Sequence, residues 1–123
     1  MTIQEQLPWH QVDDETLSYF KAIGVDYLTI NPTPDTLSDG KDRLQDWLRY
    51  RDLAESNGLI LQNVATTGWD ALTLAPEARD QKIDAWCTLL RNLGEAGIPT
   101  LGYNFKPIGN FRTTSATGRG GVK

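Results

Sequence analysis

The residues best suited to chemistry are Asn31, Asn63, Tyr103, Asn104, Lys106 and Arg112. They are amides, a phenol and two cations, a set that suits hydroxyl groups and a carboxylate, as an acidic sugar would present. Each also has a plain structural reading. Asparagine after an extended run forms turns, Tyr103 can pack its ring, and Arg112 can pair with an acid on a helix. Other chemistries are poorly served. The single histidine, His10, follows Trp9 near the N-terminus and reads as a surface or packing residue. The single cysteine, Cys87, falls in a helical apolar pattern and reads as a core thiol. With one His and one Cys, neither a nucleophilic triad nor an imidazole–thiolate metal site can be assembled from these residues. The acidic run Asp13–Asp14–Glu15 is explained by a helix start.

Residues at strand ends need elements to hold them, and three segments share one grammar: amphipathic helix, glycine stop, β-rich run. The first helix runs from Asp13 to Ile23, stops at Gly24, and is followed by Val25–Ile30. The second opens near Ser38 or Asp39 and runs to about Asn57, with Leu44, Trp47, Leu48 and Ala54 as its apolar stripe. Gly58 stops it and Leu59–Val64 follows. The third starts at Pro76 and places Ile83, Trp86, Cys87, Leu90 and Leu93 on one face, before Gly97 and the run 98–103. The stop glycines are 34 and 39 residues apart, the length of a βα unit, which predicts parallel strands. A weak strand around Gln6–Trp9 makes four strands and three helices. No GxGxxG or GxxxxGK[ST] is present, which argues against dinucleotide and P-loop sites. The expected fold is α/β, a partial (β/α)8 barrel in which 1–123 form the N-terminal half and 105–123 a long, flexible loop after strand four.

Composition narrows the partners. The 123 residues carry a net charge of −4, but all 16 acids lie at or before Glu95, so residues 1–95 sum to −8 and the acid-free remainder to +4. Trp9, Trp47, Trp69 and Trp86 do not alternate with basic residues, so a nucleic-acid stacking surface is not expected. No apolar run suits a membrane span, and the N-terminus has no secretory pattern. One cysteine and no leader point to the cytoplasm.

The stretch 91–121 carries a resemblance. Arg91-Asn92-Leu93, Gly97-Ile98, Thr100, Tyr103-Asn104-Phe105, Pro107 and Arg112-Thr113 resemble the mannonate dehydratase family where its chain leaves the fourth strand. Ser115 to Gly121 is similar to one branch of that family. The resemblance implies a barrel of the xylose-isomerase-like kind and dehydration of D-mannonate to 2-keto-3-deoxy-D-gluconate in hexuronate breakdown. It implies Mn2+ or Fe2+ as cofactor, with the metal ligands and catalytic acid/base residues in the later half of the barrel. No catalytic or metal-ligating residue is therefore expected among these 123, nor metal binding by this chain alone. Tyr103, Asn104 and Arg112 are carried over as substrate-side residues on the strand-four rim. Lys106 and Phe111 stand where the family often has Met and Trp. The stretch Thr29–Pro34 lacks the His-His-Ile-Pro run of many members. The alternatives are a sugar isomerase or epimerase on the same barrel, and a non-catalytic half-barrel. Four strands of an unclosed sheet are also expected to self-associate through their edges.

Overall fold

The computed structural model describes residues 1–33, 37, 39–67 and 76–104. Its elements alternate as the glycine spacing predicts. They are β1 (Gln4–Pro8), α1 (Asp14–Ala22), β2 (Tyr27–Asn31), α2 (Leu44–Ser56), β3 (Ile60–Thr66), α3 (Arg79–Glu95) and β4 (Thr100–Tyr103). Short 3-10 turns at Trp9–Gln11 and Pro76–Ala78 precede α1 and α3. The strands form one parallel sheet in the order β1-β2-β3-β4. Parallel neighbours need helical crossovers, and the three helices supply them.

Each helix ends in the same way. Gly24, Gly58 and Gly97 adopt φ of 94°, 73° and 75°, a left-handed conformation that a Cβ would strain. The next N–H reaches back five residues: Val25 to Phe20 at 3.0 Å, Leu59 to Ala54 at 2.9 Å, Ile98 to Leu93 at 2.9 Å. The glycine N–H closes a second bond to the carbonyl three residues before it. This is a Schellman ending, and its hydrophobic residue is buried all three times: Val25, Leu59 and Ile98. Those residues plug the base of the sheet, so the strands begin one or two residues later than their β-rich runs suggest.

At the start of α1 the Asp13 carboxylate accepts a 2.8 Å bond from the Thr16 N–H. That bond holds the Asp13 carboxyl below its usual range. A depressed folded-state pKa adds stability above the unfolded pKa, which is lost as pH falls through the folded value. Asp13→Ala is expected to lower the melting temperature by about 3–6 °C at neutral pH, with the difference narrowing as the pH falls through the folded-state value. Melting curves of both proteins from neutral to acid pH test it; a difference that does not shrink in acid would show that the charge of the cap carboxylate is not its source.

Hydrophobic burial between the helices and one sheet face makes the core. Leu17, Leu28, Ile30, Trp47, Leu59 and Val64 are the largest side chains fully removed from solvent. Polar links fasten the helix layer. Asn57 donates to Asp14 Oδ1 (2.9 Å) and to the Leu53 carbonyl (3.0 Å), and accepts from Ser18 (2.8 Å), joining α1 to α2. Arg51 donates to the Ala96 carbonyl at the end of α3 (3.0 Å). One face was misread from sequence. The buried side of α3 is Ala85, Leu89, Asn92 and Leu93, whereas Ile83 and Leu90 are exposed. Cys87 is exposed as well, not a core thiol. Ala85 lies against Gly40, where a Cβ would meet Ala85 Cβ at 3.7 Å, and a reading weighted to bulky residues rotates the face away from it.

Candidate functional site

The sheet face opposite the helices is polar. On β2, Leu28 and Ile30 point into the core, so Tyr27, Thr29 and Asn31 point to the other side. There a side-chain ladder crosses all four strands. Gln4 donates from Nε2 to Thr29 Oγ1. Asn63 Nδ2 approaches the same hydroxyl at 3.4 Å, and Asn63 Oδ1 accepts from the Gly102 N–H at 3.1 Å. An irregularity between Leu28 and Thr29 sets this row, since it brings Thr29 level with Asn63. Asn63 is therefore not a strand-end residue, as its sequence position suggests. It sits inside β3, which continues to Thr66, and its amide is committed to the ladder.

Above the ladder, toward the C-terminal strand ends, lies a cleft of about 340 Å³. Its room comes from two small residues, Ala65 and Gly102, which face each other in register on β3 and β4. A Cβ on Gly102 would meet Ala65 Cβ at 3.5 Å and the Asn63 amide at 3.6 Å, ordinary contacts that would take up the space. The rim carries Gln6, Asn31, Thr67 and Asn104, and none of the described lining residues is charged. Asn31 ends β2, and its Oδ1 is buried with no hydrogen-bond partner.

Of the residues singled out in sequence, the fold brings Asn31, Tyr103 and Asn104 to this cleft. Tyr103 borders it, but its ring packs edge-on against Trp86 of α3, with centroids 5.5 Å apart and planes at 88°. Lys106 and Arg112 lie outside the described residues, as does the segment 105–123. Gln6, Ala65 and Gly102 were not anticipated. Their signal is the alternation along each strand, legible only once the register is known. A divalent transition metal takes imidazole, thiolate or carboxylate donors. Among the described residues no three His, Cys, Asp or Glu side chains come together, so this face does not fit Mn2+ or Fe2+. Nor, among them, is any helix long and apolar enough to cross a membrane.

A parallel sheet with a polar inner face and a cleft at its C-terminal strand ends has counterparts. A mannonate dehydratase from Streptococcus suis serotype2 superposes with a TM-score of 0.69 at 27% identity, over 87% of this chain and 31% of that one. A D-psicose 3-epimerase, solved in the presence of D-fructose, superposes with a TM-score of 0.61 over 94% of this chain and 42% of its own. At 15% identity the epimerase shares the fold alone. Both support the partial (β/α)8 barrel. A mannonate dehydratase from Enterococcus faecalis (strain ATCC 700802 / V583) is 38% identical over 61 residues, 49% of this chain and 17% of that protein. The chain thus spans less than a third of either dehydratase. Residues 6–121 match the family described as D-mannonate dehydratase (UxuA), a match that takes in β2, β3 and β4, the end of β1 from Gln6, and the cleft at the strand ends. By that match the chain belongs to the D-mannonate dehydratase family.

Proposed function

We propose that this chain supplies the first four strands of a D-mannonate dehydratase barrel and one wall of its substrate site. The family match over residues 6–121 carries this reading. The reaction is a β-elimination: a base removes the proton on C2, an acid helps the C3 hydroxyl leave as water, and the enol becomes 2-keto-3-deoxy-D-gluconate. The described residues offer no donor set for the Mn2+ or Fe2+ that the resemblance implies, so no step is assigned through a metal here. Their part is to bind and orient a sugar acid. Asn31 and Asn104 offer amides to its hydroxyls, Tyr103 stands on the rim, and Arg112 is the candidate for its carboxylate. The acidic balance of residues 1–95 supports a small-molecule partner over nucleic acid, and the lone cysteine supports a reducing cytoplasm.

The test is a chimera in which residues 6–121 replace the matched segment of the Streptococcus suis enzyme. Metal-dependent formation of the keto-deoxy acid from D-mannonate is expected. A folded, metal-loaded chimera that leaves D-mannonate unchanged would overturn the reading.

The isolated chain is expected to self-associate. Among the described residues, β1 and β4 each have one unpaired edge, and Ile83, Leu90 and Tyr103 are 44%, 46% and 60% exposed. Sedimentation should show dimers or larger species whose share rises with concentration. A single monomer boundary at tens of micromolar would refute the expectation.

A further inference from the structure

We infer that Asn63 is a positioning residue: its side-chain amide ties the end of β4 to β2 and so sets where Tyr103 and Asn104 stand. This rests on the reading of the chain as part of a sugar-acid dehydratase and goes further by naming a residue outside the cleft through which that site is held.

Three observations carry it. First, an extra residue in β3 puts the amide in place. Leu28 pairs with Leu61, and the next residue of β2, Thr29, pairs with Asn63, so Gln62 is the extra one. Strict alternation would put Asn63 on the core side with Leu61. Instead Leu61 and Val64 are the buried pair, at 3% and 0% exposure, and Asn63 turns to the polar face. Re-aiming a side chain beside a functional site is a known use of such a bulge. Second, both ends of the amide are spent on neighbouring strands. Oδ1 accepts from the Gly102 main-chain N–H at 3.1 Å, and Nδ2 reaches the Thr29 hydroxyl at 3.4 Å. Gln4 donates to that same hydroxyl, and Thr29 is buried. A bond to a main-chain N–H fixes the strand itself, not only a side chain. A Cβ on Gly102 would stand 3.6 Å from both Nδ2 and Oδ1 of Asn63, so the amide lies along this glycine. Third, the tied segment is short and leads straight to the cleft. β4 has four residues and, among the described residues, pairs with β3 alone. Tyr103 and Asn104 follow Gly102 directly and line the cleft. On the helix side the Tyr103 ring packs against Trp86; on the inner side Asn63 holds the residue before it. Asn63 and Thr29 lie beneath the cleft, so their effect on a ligand passes through β4.

Hydrogen exchange of the full chain, resolved to single amides, reads the tie without any enzyme activity. Asn63→Ala should speed exchange at Gly102 roughly tenfold or more, with the amides of α1 little changed. Asn63→Asp keeps an oxygen for the Gly102 N–H and should stay within about threefold of the parent. In the chimera, Asn63→Ala is expected to raise KM for D-mannonate roughly tenfold, and Asn63→Asp to recover most of that loss. A smaller folded fraction lowers the apparent kcat and leaves KM alone, so the rise in KM separates positioning from stability. If Asn63→Ala fails to fold, Thr29→Val loosens the amide from its other end and should give the same two effects at roughly threefold. Gly102 exchange unchanged in a folded variant, an unchanged KM, or Asn63→Asp no better than Asn63→Ala would overturn the inference. The two readings fail separately. An active chimera whose KM ignores Asn63 removes the positioning role and keeps the dehydratase. An inactive chimera, with Gly102 released by Asn63→Ala in the chain, removes the dehydratase and keeps Asn63 as the residue that fixes the end of β4.

Discussion

Replacing Trp47 by alanine is expected to cost about 3–5 kcal/mol of folding free energy, a large part of the net stability of a domain of this size. Trp47 is 1% exposed and is the largest side chain fully buried between α2 and the sheet. Its ring neighbours Tyr50 at 6.2 Å, which in turn neighbours Trp9 at 6.4 Å and lies under the Arg49 guanidinium at 4.8 Å. Deleting the indole therefore opens a cavity and unseats an aromatic cluster that joins α2 to the turn after β1. The Trp47 indole N–H has no hydrogen-bond partner. Trp47→Phe gives up no hydrogen bond and keeps most of the apolar contact, so it is expected to cost only about 1–2 kcal/mol. Urea midpoints for the two variants test the pair. Equal losses would mean that the N–H, not the ring volume, is what the site uses. A loss below about 1 kcal/mol for the alanine variant would contradict the packing of α2.

The parts legible in the sequence are those written in local chemistry. A glycine that must take positive φ, with a hydrophobic residue after it, marks a helix end whatever the rest of the chain does. That is why Gly24, Gly58 and Gly97 located all three helix–strand junctions. The Asp13 cap is likewise settled within four residues. What depends on neighbours distant in sequence was harder to read. The face of α3 depends on Ala85 lying against Gly40, where a Cβ would meet Ala85 Cβ at 3.7 Å, and an apolar count does not register so small a residue. The place of Asn63 depends on a β2–β3 irregularity around Leu28 and Thr29. The cleft depends on Ala65 and Gly102 meeting in register, and small residues carry no chemical flag. The family resemblance, by contrast, rests on residues 91–121, of which 105–121 lie outside the described residues; the overlap with the cleft is Gly102, Tyr103 and Asn104.

The carboxylate of a sugar acid needs a cation to hold it. Arg112 is the proposed source. It belongs to the acid-free segment from residue 96 onward, which carries a charge of +4, and it falls on the Arg-Thr pair of the family pattern. A guanidinium grips a carboxylate through two parallel N–H bonds, and a lysine ammonium keeps the charge but not the fork. In the chimera, Arg112→Lys is therefore expected to lower kcat/KM for D-mannonate by roughly ten- to a hundredfold, about 1.4–3 kcal/mol, with little change in melting temperature. The loss should appear mainly in KM if the grip is equal in ground and transition states, and in kcat if it tightens as C2 is deprotonated. Arg112 has a rival role as half of an ion pair that orders its own segment. That role gives the opposite pattern, with kinetics retained and the melting temperature lowered. Such a result would take the carboxylate from Arg112 and leave the family reading untouched, because that reading rests on the match over residues 6–121.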